Sequence, residues 1–260
     1  LRRYEPDQVQ RVGVCLSATP VFSTVRHPVR AMGDVIEPGL AGKMGVSGPM
    51  AKTCVILLGG DITATERLKG QCRNALVLAA DSGIRHADAL GLQVDLWLGD
   101  FDSTTPAQSR RFASVPRQTF PREKDKTDGE LAIDEGIARG VNRFVLVGAF
   151  GGERSDHSML HAFQALDLAR RGIDVLMTSG LEEAVPLCAG TREFQLRSGS
   201  IFSLVGFGDM SGVTITGARW PLEHRHVPMG SSLTLSNIAE GTVSVTIGQG
   251  EGLFMSGSSA

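Results

Sequence analysis

The sequence predicts an α/β fold in which a mostly parallel, Rossmann-like sheet with helices on both faces precedes an antiparallel β-sandwich or barrel. From Thr53 to about residue 180, short apolar segments alternate with segments of helical period, as in βαβ units. Apolar segments such as CVILLGG are hydrophobic at every position, which indicates strands covered by helices on both faces. After about Leu181 the helical period disappears, and glycine turns separate short strand-like segments.

Strand-like and helical segments alternate throughout the first half. The predicted strands, in order, are TCVILLG, ALVLAAD, VDLWLGD, RQTFP, RFVLVGAF and DVLMTS. The predicted helices lie between them, at about Ala64–Cys72, Ile84–Leu90, Pro106–Phe112, Asp128–Arg139 and Ser155–Arg171. This order favours a parallel sheet that is joined by helical crossovers.

The second half predicts short antiparallel strands. Their segments are REFQLRSG, SIFSLVGFG, GVTITGARWPL, SSLTLSN, GTVSVTIGQG and GLFMSG. We therefore predict an α/β domain over residues 51–180 and a β domain over residues 181–260. Residues 1–50 show no clear period, and we expect them to be a disordered or mis-started extension that contributes nothing to the fold.

Composition excludes several function classes. The formal net charge of −2 arises from 26 basic and 28 acidic residues, so nucleic acid is not an expected partner. The apolar segments are strand-sized, and we expect no membrane span. The four cysteines form no C-x-x-C pair, which favours free thiols in a reducing compartment and predicts a cytoplasmic protein.

Polar side chains follow several of the predicted parallel strands. Ligands of such sheets bind at the carboxyl ends of the strands, where these side chains lie. They are Asp81 and Ser82 in AADSG, Asp100 and Asp102 in GDFDS, Lys124 to Asp128 in KDKTD, and Asp156 and His157 in GGERSDH. Four consecutive strand ends therefore deliver carboxylates to one edge of the sheet.

Asp100 and Asp102 suit a Mg²⁺ site. In an extended segment, residues i and i+2 point to the same side, and Gly99 lets the backbone approach a ligand closely. Mg²⁺ is held by a few carboxylates while phosphate oxygens fill its remaining positions. The alternative is that one of the two aspartates caps the next helix while the other faces solvent.

Three further motifs each allow two interpretations. In KDKTD, the lysines and nearby Arg122 would neutralise phosphate charge, while Thr127 or Asp128 caps a helix whose free N–H groups favour anions. His157 and His161 share a helix face, but packing of His161 is favoured over zinc binding. Trp220 would stack on a flat heterocycle if exposed, although taken alone it is expected to be a core side chain.

Taken together, the motifs resemble those of the thiamine pyrophosphokinase family. The resemblance extends from about Thr53 to Phe254 and runs in order through ADSG, GDFDS, KDKTD, GGERSDH, GARWPL and SN. It implies an α/β catalytic domain, a β-sandwich that binds thiamine, and a homodimer with the site at the subunit interface. It also implies transfer of a pyrophosphoryl group from ATP to the thiamine hydroxyl, with AMP leaving.

The resemblance implies a role for each matching residue. Those that hold Mg²⁺ are Asp81, Asp100, Asp102 and Asp125. Those that bind ATP or its phosphates are Asp81, Ser82, Gly83, Lys124, Thr127 and His157. Those that take part in catalysis are Asp100, Asp102, Asp128 and Asp156. Those that bind thiamine are Trp220, Ser236 and Asn237.

Two other functions remain open at this stage. DFDST satisfies the D-x-D-x-T pattern of haloacid-dehalogenase-type phosphatases, in which Asp100 would be a covalent nucleophile. In that family the motif ends the first strand, whereas here it follows the third predicted strand. The second alternative is a nucleotide-binding module without turnover.

Overall fold

A computed structural model of the chain describes residues 52–102, 104–123 and 125–257. The extension predicted over residues 1–50 lies outside the described residues, as does Lys124. The described residues all fall within one compact unit of the chain.

The first half forms the parallel part of a mixed sheet. Its strands are β1 (Thr53–Leu57), β2 (Leu76–Ala80), β3 (Leu96–Gly99), β4 (Arg117–Thr119), β5 (Arg143–Val147) and β6 (Asp174–Thr178). They lie side by side in the order β6, β5, β1, β2, β3, β4, and each neighbouring pair is parallel. The carboxyl ends of these strands therefore meet at one edge of the sheet.

Helices connect these strands. They are α1 (Glu66–Gln71), α2 (Ala87–Leu90), α3 (Pro106–Arg111), α4 (Asp128–Ala138) and α5 (Ser155–Arg170), with a 3₁₀ helix over Asp81–His86. Side chains of β1 alternate between two buried clusters: Leu57 joins the one that contains Leu68 of α1, and Ile56 joins the one that contains Ala165 of α5. Buried helix residues therefore cover both faces of this part of the sheet, as the apolar segments predict.

The second half is antiparallel. Its strands are β7 (Glu182–Leu187), β8 (Gly190–Gln195), β9 (Ile201–Gly206), β10 (Met210–Ala218), β11 (Leu222–Val227), β12 (Asn237–Ile247) and β13 (Gly252–Gly257). β7 pairs antiparallel with β6 and with β13, so the sheet of the first half continues into the second. The remaining ladder runs from β13 through β9 and β12 to β10 and β11, with β8 on β12.

One predicted strand is wrong and two strands were not predicted. SSLTLSN forms turns instead, because its backbone bonds locally: Ser231 N donates to Pro228 O at 3.0 Å, and Leu235 N donates to Ser232 O at 3.1 Å. β7 contains Pro186, which weakens the strand pattern. β11 lies at an end of the sheet and is mostly exposed, so it lacks apolar alternation.

The described residues bear on two compositional predictions. Within them, no helix has both the length and the hydropathy that a membrane span requires. Cys54, Cys72 and Cys188 are free, and burial raises the pKa of the Cys54 and Cys72 thiols to about 12. The cytoplasmic location stays a prediction.

Candidate active site

Two of the predicted carboxylates lie at adjacent strand ends. β2 and β3 are paired through Ala80 and Leu98, so Asp81 and Gly99 follow at the same level. The fit is close: a Cβ placed on Gly99 would lie 3.3 Å from the Cα of Asp81. Asp81 is therefore next to the turn that carries Asp100 and Asp102.

The Asp100–Asp102 turn is held by local hydrogen bonds to a side-chain oxygen and to a backbone carbonyl. Asp102 N donates to Asp100 Oδ1 at 3.1 Å, and Thr104 N donates to Phe101 O at 3.2 Å. The Asp102 carboxylate is half-exposed and lies 3.5 Å from the Arg122 guanidinium. Both acids are thus presented at the edge of the sheet, with a cation beside one of them.

Two residues at these strand ends have a strained backbone. Asp81 has a φ of 43° and Phe101 has a φ of 61°. Both values lie in the left-handed region, which residues other than glycine rarely adopt. Such strain costs about 1–3 kcal/mol per residue and clusters at functional sites. The observation favours a functional role for this edge, independently of the carboxylates.

The KDKTD loop leads into α4 and supplies its cap. Thr127 Oγ1 accepts from Glu130 N at 3.2 Å, while Glu130 Oε2 accepts from Thr127 N at 2.8 Å, which forms a capping box. Asp128 is the first residue of the helix, and Asp125 is exposed. Lys126 forms an ion pair with Asp134 on α4, so its charge is already engaged there.

The predicted metal ligands are not gathered into a closed cage. Across the part of the chain that the structure describes, no three acidic, histidine or cysteine side chains are grouped so that they could hold an ion. Mg²⁺ does not require such a group, because it binds through one or two carboxylates and takes its other ligands from water and phosphate. The half-exposed Asp100–Asp102 turn fits that need, and its donors are all hard oxygens.

A cleft of about 480 Å³ opens beside Asp81. Of the predicted residues, Asp81, Ser82 and His157 line it. Gly59, Gly60, Asp61 and Arg85, which sequence reasoning did not select, also line it, as do Arg154 and His161. Among the described residues, the predicted Asp100, Asp102 and Asp128 do not line this cleft.

Arg85 and His86 form hydrogen bonds to the backbone of the turn that follows β1. Arg85 Nη2 donates to Gly59 O at 2.6 Å and lies 3.5 Å from Asp61. His86 Nε2 bonds Gly60 O at 2.8 Å, and because a carbonyl only accepts, this nitrogen carries a proton. Burial and the neighbouring Arg85 charge lower the pKa of His86. LGGD satisfies the same strand-end rule as the other motifs, so Asp61 was detectable from the sequence.

The start of α5 carries an ion pair and two histidines whose rings are in contact. Arg154 donates to both oxygens of Asp156, at 3.0 and 2.8 Å, and this hydrogen bonding lowers the pKa of the Asp156 carboxyl to about 2. The rings of His157 and His161 meet edge to face at 6.2 Å. His161 is buried against Ala149 O, which agrees with the packing role predicted for it, and burial lowers its pKa.

The predicted thiamine-binding residues form a second group, just after β10 and at the start of β12. Asn237 is buried and holds the backbone of Trp220 in both directions: Trp220 N donates to Asn237 Oδ1 at 3.2 Å, and Asn237 Nδ2 donates to Trp220 O at 2.8 Å. Ser236 precedes Asn237, and its N–H donates to Ser203 Oγ at 3.0 Å. Trp220 is 55% exposed, so the expectation of a core tryptophan is wrong and its ring is open to a partner.

Two protein-family models match this chain. The model described as "Thiamin pyrophosphokinase, catalytic domain" matches residues 71–177, and "Thiamin pyrophosphokinase, vitamin B1 binding domain" matches residues 192–252. The two matches together cover more than half of the chain. The chain belongs to the thiamin pyrophosphokinase family.

The family matches divide the candidate residues into the same two groups as the structure. Asp81, Asp100, Asp102 and the KDKTD loop fall in the catalytic-domain match, whereas Trp220, Ser236 and Asn237 fall in the vitamin B1 binding match. The Gly59–Asp61 turn precedes the first match.

Individual proteins that are similar to this chain are also thiamine pyrophosphokinases. A curated thiamine pyrophosphokinase of Bacillus subtilis is 27% identical over 192 residues, which is 72% of this chain and 89% of that protein. A crystal structure of thiamine pyrophosphokinase from Bacillus subtilis covers 80% of this chain and all of its own, with a TM-score of 0.72 and 23% identity. Thiamin pyrophosphokinase from Candida albicans covers 80% of this chain and 89% of its own, with a TM-score of 0.61 and 14% identity. The structural matches show a shared fold.

Proposed function

We propose that this chain is a thiamine diphosphokinase, which transfers the pyrophosphoryl group of ATP to the hydroxyl of thiamine and releases AMP. The observation that carries the proposal is the pairing, in one chain of this family, of acidic strand ends beside a cleft with an exposed tryptophan in the vitamin B1 binding match. Phosphoryl chemistry needs positioning and charge neutralisation more than covalent help, and this edge of the sheet offers both.

We assign Mg²⁺ to Asp100, Asp102 and Asp81, with Asp125 as the further predicted ligand. When bound, Mg²⁺ would neutralise the phosphate oxygens and polarise the phosphorus that is attacked. The cleft beside Asp81 would take the nucleotide, where Arg85, Arg154 and His157 supply cationic or hydrogen-bonding groups. The N–H groups of Ser82 and Gly83 and the capped start of α4 suit phosphate oxygens.

Asp128 is the better candidate to lie near the attacking hydroxyl. Asp156, the other candidate, is bound by Arg154 through both oxygens. Its lowered pKa makes it a weak proton acceptor. Asp128 sits at the first position of α4, six residues after Arg122, whose guanidinium lies 3.5 Å from Asp102.

We further propose that residues 51–180 form a Rossmann-like ATP-binding domain, that residues 181–260 form a thiamine-binding β-sandwich, and that two chains share each site.

One face of the sheet suits an interface between two chains. Val205 pairs with Leu253, whose core cluster also contains buried residues of α5. On this face the sheet and α5 expose large apolar side chains, namely Met159, Phe163, Ile201 and Val205. A surface of this kind is typical of a subunit interface. Asn237, which holds Trp220, pairs with Phe202 next to Ile201.

Mixed dimers test the shared site. Asp102→Asn and Trp220→Ala chains carrying different tags are co-expressed, and tandem affinity purification isolates the mixed dimer. If Asp102 of one chain works with Trp220 of its partner, one of the two sites is intact, and about half of the wild-type turnover returns. Chains that do not co-purify, or a mixed dimer no more active than its parents, would contradict the shared site.

The reaction itself is tested by incubating the protein with ATP, Mg²⁺ and thiamine and separating the products. We expect AMP and thiamine diphosphate in equal amounts, and neither without thiamine. Phosphate release with an aspartyl-phosphate trapped on Asp100 would instead support the phosphatase alternative. Nucleotide binding without any product would support the non-catalytic module.

A further inference from the structure

Two strained residues at the acidic edge contact one side chain. Asp81 and Phe101 both have left-handed backbones, with φ of 43° and 61°. A bulky residue such as Phe101 does not stay in this region unless its surroundings hold it there. The residues that hold Asp81 and Phe101 in this conformation therefore also set the positions of the Asp81, Asp100 and Asp102 carboxylates.

Trp97 holds both residues. It lies on β3 and is 0% exposed. Its indole Nε1 donates to the backbone carbonyl of Asp81 at 2.8 Å. Its ring meets the Phe101 ring edge to face, with centroids 4.9 Å apart. One rigid side chain therefore links the end of β2 to the turn after β3.

Arg117 covers the same rings from the neighbouring strand. β3 and β4 pair Trp97 directly opposite Arg117. The guanidinium carbon of Arg117 lies 4.6 Å from the Trp97 ring centroid and 5.3 Å from that of Phe101. A cation over two aromatic faces is attracted to both, and this holds the rings against each other.

We propose that Trp97 is a positioning residue, with Arg117 as its support, which holds Asp81 and the Asp100–Asp102 turn in the arrangement that binds Mg²⁺ and ATP. The proposal rests on the proposed function, because metal–nucleotide binding is what the arrangement serves. Trp97 itself is fully buried and does not touch the nucleotide. Its effect passes through the Asp81 carbonyl and the Phe101 ring.

Trp97→Phe tests the link, because phenylalanine keeps an aromatic ring and loses the N–H donor. We expect the Mg²⁺ concentration for half-maximal turnover to rise about tenfold, which corresponds to about 1.4 kcal/mol. The KM for thiamine should stay within about twofold, since Trp220, Ser236 and Asn237 lie near the ends of β10 and β12, away from β2 and β3 in the sheet. Calorimetry of ATP binding in the presence of Mg²⁺ should show a similar loss of affinity for ATP. This measurement does not depend on turnover.

Phe112→Leu is the matched control. Phe112 is buried in the same aromatic cluster, 6.2 Å from the Trp97 ring, but belongs to the segment after α3. The Phe112→Leu variant should have a lower melting temperature because core packing is lost, but its turnover should depend on Mg²⁺ as in the wild type. Arg117→Gln, on an exposed position of a terminal strand, is expected to fold and to raise the Mg²⁺ requirement about threefold.

The outcomes separate the two proposals. A Trp97→Phe enzyme whose Mg²⁺ and ATP dependence matches that of Phe112→Leu would overturn the positioning role while leaving the proposed function intact. If Trp97→Phe fails to fold, Arg117→Gln decides in the same way. A wild-type chain that forms no thiamine diphosphate from ATP and thiamine in the presence of Mg²⁺ would overturn the proposed function, and the positioning role with it.

Discussion

Asp102→Asn is expected to lower kcat/KM by at least about 10²-fold while leaving the melting temperature unchanged. The substitution keeps the size of the side chain and removes the negative charge from the turn that we propose binds Mg²⁺. Its effect on stability should be small, because the Asp102 carboxylate is half-exposed and its ion pair with Arg122 spans 3.5 Å at the surface. Activity and stability should therefore separate.

Steady-state kinetics at several Mg²⁺ concentrations, together with thermal denaturation, measure this separation. Asp88→Asn is the control, since Asp88 is an exposed carboxylate on α2 that pairs with Arg111. It should behave as the wild type in both measurements. Retained activity in Asp102→Asn would remove Asp102 from the metal site.

Gly83→Ala should lower the free energy of unfolding by about 3 kcal/mol or more. Gly83 is buried in the 3₁₀ helix that follows β2, and a Cβ there would lie 2.0 Å from the carbonyl oxygen of Leu57. Leu57 is on β1, which is paired on both sides, so its backbone is not free to move away. The predicted phosphate contact and this packing requirement both call for glycine at the position.

Urea denaturation followed by circular dichroism gives the comparison. Gly70→Ala is the matched control, because Gly70 is in α1 and a Cβ there meets no atom within 4 Å. Alanine favours a helix over glycine by about 1 kcal/mol, so this variant should be as stable as the wild type or slightly more stable. An unchanged unfolding midpoint for Gly83→Ala would mean that the contact with Leu57 is not as close as the structure places it.

The parts of the fold that could be predicted are those whose signal is local. The buried parallel strands are continuous apolar segments, and the start of α4 is marked by Thr127 with Glu130 three residues later. The strand-end rule also selected Asp81, Asp100 and Asp102 without any structure. Applied consistently, it would have selected Asp61 as well.

Other features depend on which strands become neighbours. SSLTLSN has strand-forming residues, but the N–H groups of Ser231, Leu233 and Leu235 bond to acceptors within the turns, so they are not available to a ladder. The arrangement of Arg85 over the Gly59–Gly60 turn requires β1 and β2 to end side by side. No spacing within the sequence contains that information.

The alternation of helices and strands, the carboxylates at the strand ends and the family motifs could be predicted without a structure, because each is carried by residues close together in the chain. The exposure of Trp220, the pairing of Asp156 with Arg154, and the contacts of Trp97 with Arg117 and Phe101 are visible only in the folded chain. These depend on side-chain orientation and on the register between β3 and β4. Register and orientation follow from the packing of the whole sheet, which is a property of distant residues together.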